Sequence, residues 1–261
     1  MKTPILEQVE QGIATFTLNR PATLNSYDLE LLVHLQQAIE RCSERDDVRL
    51  LILKGSGSSF CSGPDIGRLH RWLQSSDAAN LRRASEAFRQ ILLRLRRVPQ
   101  LTIAVINGVA ADGGLNLALS CDFHIASSQA SVGYPFIELG LSPELGTALL
   151  LSRTLGPSAC FELLTSGRLL RAEEAVQIGL LNRQVPANRL ESAVAALKRK
   201  LLGLPPIAVR NIKKAVHGNM QGWEQILEHE MEARIRCFQS EDCREGLRSF
   251  LENKKPQFRG E

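Results

Sequence analysis

The sequence predicts an α/β fold built from repeated strand–turn–helix units. Three observations predict it. Short apolar strands alternate with helix-period segments through the first half of the 261-residue chain. Glycine turns lead from strand to helix, above all at Asp112-Gly113-Gly114. From Thr147 onward the pattern is nearly all helical.

Taken in order, Ile5 to Val9 and Ile13 to Leu18 alternate around Gly12, the signature of a hairpin. Residues 27–45 repeat Leu, Val and Ile at helical spacing. Leu50 to Leu53 is a short apolar strand, and the glycines and serines after it form a loop. The segment FCSGPDIGRLH is a turn that opens a helix. Residues 78–97 are an amphipathic helix that stops before Pro99. The strand Leu101–Ile106, the glycine turn, a helical run Leu115–Ser120 and the apolar run Phe123–Ala126 follow closely. One short strand, Leu181–Val185, interrupts the helical second half. The tail, residues 205–252, carries three helices with charged faces. The chain divides into a core over 1–200 and a helical region over 201–261.

Composition narrows the function. Net charge is +4 and the basic residues are dispersed; the densest group, Arg82, Arg83, Arg89, Arg94, Arg96 and Arg97, has the spacing of a solvated helix face. Aromatics are 5%, too few for a base-stacking platform, so no nucleic-acid partner is expected. Six scattered cysteines without a CxxC pair, and histidines without ligand spacing, give no metal site and read as reduced cytoplasmic thiols. The amino terminus has strand alternation rather than a signal peptide, and no apolar run reaches membrane-spanning length.

The stretch INGVAADGGLNLALSCD carries the chemistry. Paired glycines at a helix start let a ligand approach the backbone, and the first N–H groups of the helix have no intrahelical partner. Such a site can hold negative charge that develops during a reaction. No carboxylate follows the glycines on the first turn; Asn116 stands there.

Four segments in fixed order, LNRPATLNS (18–26), FCSGPDI (60–66), NGVAADGGLNLALSCD (107–122) and REGLRSFLENKKPQF (244–258), closely resemble the crotonase family of enoyl-CoA hydratases and isomerases. The resemblance covers essentially the whole chain. It implies a spiral of ββα units, a C-terminal helical trimerisation region, and homotrimers or dimers of trimers. It implies an acyl-CoA thioester substrate and no cofactor other than the coenzyme A that the substrate carries. The thioester carbonyl would lie between two backbone N–H groups, here those of Gly113 and of position 64. Ser62, Gly63, Pro64, Asp65, Ile66 and Gly114 fall on the two turns that form the substrate site. Arg68, Arg71, Lys254 and Lys255 are candidates to meet the CoA phosphates, since Ala22 replaces the lysine often found after LNRP.

Two departures from the family pattern bear on mechanism. Pro64 has no backbone N–H, and losing one oxyanion donor typically costs roughly 2.7–4 kcal/mol of transition-state stabilisation. Three consequences are open: a weak site, substitution by the Asp65 N–H or a water, or thioester binding without enolate chemistry. Hydratases of the family carry two glutamates where this chain has Asn116 and Phe136, and neither exchanges a proton at neutral pH. In SPELG, Glu144 falls where several isomerases of the family, including enoyl-CoA isomerases and ring-isomerising enzymes of phenylacetate breakdown, place their single acid–base carboxylate.

Glu144 is therefore the candidate proton shuttle, Gly113 the candidate oxyanion donor, and Asn116, Phe136 and Leu141 candidates to shape the pocket. An apolar wall from Leu115, Phe136, Leu141 and Leu145 would raise the basicity of Glu144. A solvated glutamate starting a helix is the structural alternative. Asp112 is expected to cap the helix after it. Glu138, six residues before Glu144, reads as a surface or subunit-contact charge. The aryl-CoA dehalogenases of the family carry a nucleophilic aspartate at the place of Glu144, a minor alternative because glutamate is longer.

Overall fold

The computed structural model describes residues 3–75, 78–217 and 223–260. Gln11 and Gly12 both adopt positive φ, 50° and 78°, and close a two-residue hairpin between β1 (Ile5–Glu10) and β2 (Ile13–Leu18). Asp28 then caps α1 (Leu29–Ser43), accepting from the Leu31 N–H. From here the chain repeats one pattern. A main strand is followed at once by a three-residue strand, and a helix comes next.

The first repeat is β3 (Leu50–Gly55), β4 (Ser59–Cys61) and α2 (Ile66–Gln74), with α3 (Ala78–Arg97) after it. The second is β5 (Leu101–Ile106), β6 (Val109–Ala111) and α4 (Gly113–Leu119). The third opens with β7 (Phe123–Ser127) and β8 (Ser131–Gly133), and passes through a short turn of helix at Pro135–Leu139 to α5 (Thr147–Leu155) and α6 (Pro157–Ser166). Then come β9 (Leu169–Arg171), α7 (Ala172–Gln177), β10 (Arg183–Val185) and α8 (Leu190–Leu202). Three helices complete the described chain: α9 (Pro206–His217), α10 (Trp223–Gln239) and α11 (Glu241–Leu251).

Two sheets result. The larger has the order β1-β2-β3-β5-β7-β10, parallel throughout except for the β1–β2 hairpin. The smaller has the order β4-β6-β8-β9, with β9 antiparallel to β8. This is the expected spiral of ββα units. The main strands are those expected from the sequence, whereas β4, β6, β8 and β9 have no counterpart in its pattern.

Alternation along the main strands sends side chains to two layers. Ile13, Leu50, Ile52, Ile103, Val105 and Ile125 pack with Leu190, Val194 and Leu201 of α8. Phe16, Leu51, Leu53, Ala104 and Ile106 face the other way, into the core formed with α1 and α3. Strands buried on both faces read as continuous apolar runs, as LLIL and LTIAVI do here. No helix among the described residues is long and apolar enough to cross a membrane.

Candidate active site

The site lies where the turns after β4 and β6 meet. After β6, Asp112 takes φ 50° and ψ −126° before α4 begins at Gly113. The Asp112 side chain does not cap α4, contrary to the expectation. Its carboxylate instead accepts from the Phe136 N–H at 3.1 Å. Burial pushes its pKa up to about 7, and Arg234 and the Phe136 N–H only partly counter that.

The two glycines are sterically required. A Cβ on Gly113 would lie 2.3 Å from the Tyr27 hydroxyl and 2.5 Å from the Phe88 ring. One on Gly114 would lie 2.1 Å from the Cys61 carbonyl oxygen. Gly113 opens α4, so the helix itself makes no use of its N–H.

The turn after β4 runs Ser62, Gly63 (φ 100°), Pro64, Asp65. It is stitched to Tyr27: the Tyr27 N–H donates to the Gly63 carbonyl at 2.9 Å, and the Asp65 N–H donates to the Tyr27 carbonyl at 3.0 Å. The Asp65 N–H is therefore occupied and does not stand in for the missing donor at Pro64. The Asp65 side chain caps α2 through the Arg68 N–H at 2.9 Å. The Ser62 N–H donates to the Leu24 carbonyl, and Ile66 packs against the core as the first residue of α2.

Glu144 is in the cleft, but its surroundings are polar. Its Oε2 accepts from the Ser85 hydroxyl at 2.7 Å. Its Oε1 lies 3.0 Å from the Nε of Arg234, whose N–H is not aimed along that line; the contact is an ion pair rather than an aligned hydrogen bond. Arg234 is 3% exposed and also donates to the Ser142 carbonyl at 2.7 Å. Burial works against its charge, yet the neighbouring carboxylates, Glu144 first, outweigh burial and hold its pKa above the ordinary value. The expected apolar wall of Leu115, Phe136, Leu141 and Leu145 does not surround the carboxylate. The apolar side of the cleft comes from Leu69, Trp72, Leu81 and Phe88, on α2 and α3.

Asn116 and Phe136 are buried and do not themselves line the cleft. Asn116 donates to the Thr147 hydroxyl at 2.6 Å and to the Glu144 carbonyl at 3.3 Å, and accepts from the Tyr134 hydroxyl at 2.8 Å. It pins the turn that presents Glu144. Phe136 lies under Arg234, with the guanidinium carbon 5.8 Å from the ring centre. Leu141 is likewise core. Lys254 pairs with Glu252 in the tail, and neither it nor Lys255 lines the cleft.

Two further carboxylates border the cleft, both fixed in structural bonds. Asp28 is paired with Arg20 at 2.7 Å and Arg68 at 2.9 Å. Burial would raise its pKa, but Arg20, the Leu31 N–H and Arg68 outweigh burial and lower it. Asp65 is the α2 cap. Of the cleft carboxylates, Glu144 is the one bonded to neither a helix start nor a strand.

Tyr27, Ser85, Phe88 and Arg234 were absent from the sequence reading. Glu230 and Arg234 are four apart on α10, a spacing that reads as a solvated ion pair. Instead both point inward, and Glu230 accepts from the Gly146 N–H at 2.6 Å. Burial raises the Glu230 pKa to about 7.

The model of the enoyl-CoA hydratase/isomerase family matches residues 8–261. The chain is 32% identical to crotonyl-CoA hydratase of Syntrophomonas wolfei, over 97% of each protein. It is 34% identical to 1,2-epoxyphenylacetyl-CoA isomerase of Escherichia coli, over 98% of each. Among solved structures, an enoyl-CoA hydratase from Bacillus halodurans superposes with a TM-score of 0.89 at 27% identity, covering 94% of this chain and 99% of that one. With a family-model match over residues 8–261 and the double-layered ββα spiral described above, the chain belongs to the enoyl-CoA hydratase/isomerase family.

Proposed function

We propose that the protein is an enoyl-CoA isomerase that moves a double bond through a thioester enolate, with Glu144 as the proton shuttle. One observation carries this reading. Glu144 stands in the cleft, while the positions where hydratases carry their two glutamates hold Asn116 and Phe136, both tied into the supporting structure. Hydration needs groups that activate and deliver water. Isomerisation needs one base that removes a proton from one carbon and returns it two carbons away.

The α3 helix supports that economy. Ser85 holds the Glu144 carboxylate, and Phe88, one turn on, packs against Gly113. One helix face thus relates the base to the oxyanion donor. In the proposed reaction, the Gly113 N–H polarises the thioester carbonyl. The Glu144 carboxylate takes a proton from the α carbon of a 3-enoyl thioester, giving a dienolate, and delivers it to the γ carbon. The 2-enoyl thioester leaves with no net change in atoms. The Arg234 guanidinium orients the carboxylate.

The relatives include proteins named isomerases, the E. coli protein above and trans-2-decenoyl-[acyl-carrier-protein] isomerase of Streptococcus mutans, 28% identical over 98% of each chain. The assembly proposed with this reading is a homotrimer or a dimer of trimers formed through the C-terminal helices.

Double-bond migration in a 3-enoyl-CoA, followed with wild type and Glu144→Ala, tests the assignment. The variant is expected to lose roughly 10²–10⁴-fold in kcat. Equal rates in the two proteins sink it. The occupied Asp65 N–H beside Pro64 favours a second reading, thioester binding without turnover. Calorimetric binding of acyl-CoA, with no conversion across a panel of enoyl-CoAs, would favour that one.

A further inference from the structure

Pro64 removes a donor from the cleft, and Tyr27 stands beside the gap. The backbone of Tyr27 is bonded to both neighbours of Pro64, Gly63 and Asp65, in a parallel bridge. In that arrangement the backbone groups of residue 64 itself point away from Tyr27, on a residue that lines the cleft. The Tyr27 ring meanwhile extends to the other half of the site. Its hydroxyl oxygen would be 2.3 Å from a Cβ on Gly113. Adding a carbon–carbon bond of about 1.5 Å puts that oxygen within about 4 Å of the Gly113 Cα.

The side chain is held there. Phe88 meets the Tyr27 ring edge-on, with centroids 4.6 Å apart. The residue is 7% exposed and borders the cleft together with Pro64 and Glu144. Among the described residues the hydroxyl makes no hydrogen bond. A buried phenol normally finds a partner, and this one lies beside Gly113 on a residue that lines the cleft.

We propose that the Tyr27 hydroxyl is the second oxyanion donor, acting with the Gly113 N–H on the carbonyl of an enoyl thioester in place of the N–H that Pro64 lacks. The assignment rests on the acyl-thioester reading above. Burial, followed by the Glu144 charge, raises the Tyr27 pKa well above 10, so the phenol keeps its proton. No proton is transferred; the hydrogen bond tightens as charge builds on the oxygen and relaxes as the enolate collapses. A phenol is also compatible with proline at 64, because its donor arrives on a side chain from another segment.

The test uses the full chain and three variants, Tyr27→Phe, Pro64→Ala and the double variant, with two readouts. One is kcat for 3-enoyl-CoA isomerisation. The other is the red shift in absorbance of bound 4-dimethylaminocinnamoyl-CoA, which reports carbonyl polarisation without turnover. Tyr27→Phe keeps the ring and its packing, so the fold is retained. It is expected to lower kcat by roughly 10²-fold, with a smaller effect on KM, and to diminish the red shift. Adding Pro64→Ala to it is expected to recover about tenfold or more of kcat by restoring a backbone donor.

Wild-type kcat with the full red shift in Tyr27→Phe overturns the assignment, as does a gain of about 100-fold from Pro64→Ala with Tyr27 in place. A rise in activity on Tyr27→Phe does so too, and marks the hydroxyl as an obstruction. A wild type that shifts the chromophore but does not isomerise overturns the isomerase reading, while the shift in Tyr27→Phe still judges the donor. A wild type that fails to bind the chromophore overturns both.

Discussion

Asp112 occupies a backbone region that glycine enters freely and an L-residue rarely does, and it buries a carboxylate there as well. Its pKa, about 7 in the folded chain against an ordinary 3.8, fixes the direction of a pH effect. A raised carboxylate pKa means that the folded state binds the proton more tightly. That contribution is complete below pH 3.8 and is lost as pH rises through about 7. Asparagine keeps an oxygen acceptor for the Phe136 N–H and tolerates positive φ, but carries no charge. Asp112→Asn is therefore expected to be more stable than wild type at pH 8, by at most about 4 kcal/mol, and nearly equal to it at pH 4. Urea unfolding at the two pH values measures this. A difference independent of pH would show that burial of the charge is not the cause. Glu144 was legible because SPELG resembles a family position. Asp112 looked like a helix cap because aspartate before Gly-Gly is a common capping pattern, and the sequence cannot show that a neighbouring N–H captures the carboxylate. Tyr27, one of the chain's two tyrosines, gave no signal in the sequence.

At the scale of elements, α9 is tied to the core by a buried cation. Lys213 is 5% exposed, and its ammonium donates to the Leu95 and Gln100 carbonyls at 3.0 and 2.7 Å and to Asp122 at 2.8 Å. His217, one turn on, reaches the other Asp122 oxygen at 3.0 Å. The partners respond differently. On Lys213 burial outweighs pairing and lowers the pKa; on Asp122 His217 and Lys213 outweigh burial and also lower it. Lys213→Met would keep the stem packing and leave a buried aspartate short of its cation. A loss of about 3–5 kcal/mol in urea unfolding is expected; a loss below about 1 kcal/mol would mean that solvent reaches Asp122 easily. Nothing in the repeating charges of the tail distinguishes this lysine from its solvated neighbour Lys214. The small sheet was hidden for a related reason. Each of its strands spans three residues, too few for a period to register. Each directly follows a longer strand or a turn and merges with it in the sequence. β3, β5 and the long helix α3 were legible because burial on two faces, or on one helical stripe, persists over six or more residues.

For the whole molecule, the tail and the site are mechanically one system. The α10 helix delivers Arg234 to Glu144 and Glu230 to the Gly146 N–H, so the residues that position the proposed base come from segments far apart in the sequence. That helix packs on α3, which also carries Ser85 and Phe88. Beside it, α9 shows water an apolar pair one turn apart, Ile212 at 64% and Val216 at 71% exposure, on a helix whose buried side carries Lys213. Apolar stripes on a helix are stable when covered. In the proposed assembly another copy of the chain covers this one. Light scattering is then expected to give three or six times 28.9 kDa, and Ile212→Asp to reduce that mass. Because the tail also holds Arg234, dissociation is expected to lower isomerase activity in step with mass as the protein is diluted, without any change in the cleft residues. A single species at 28.9 kDa across the micromolar range would overturn the assembly. A variant that dissociates yet keeps full kcat would show that the core alone fixes the α10 position, and that Arg234 reaches Glu144 without help from a neighbouring copy.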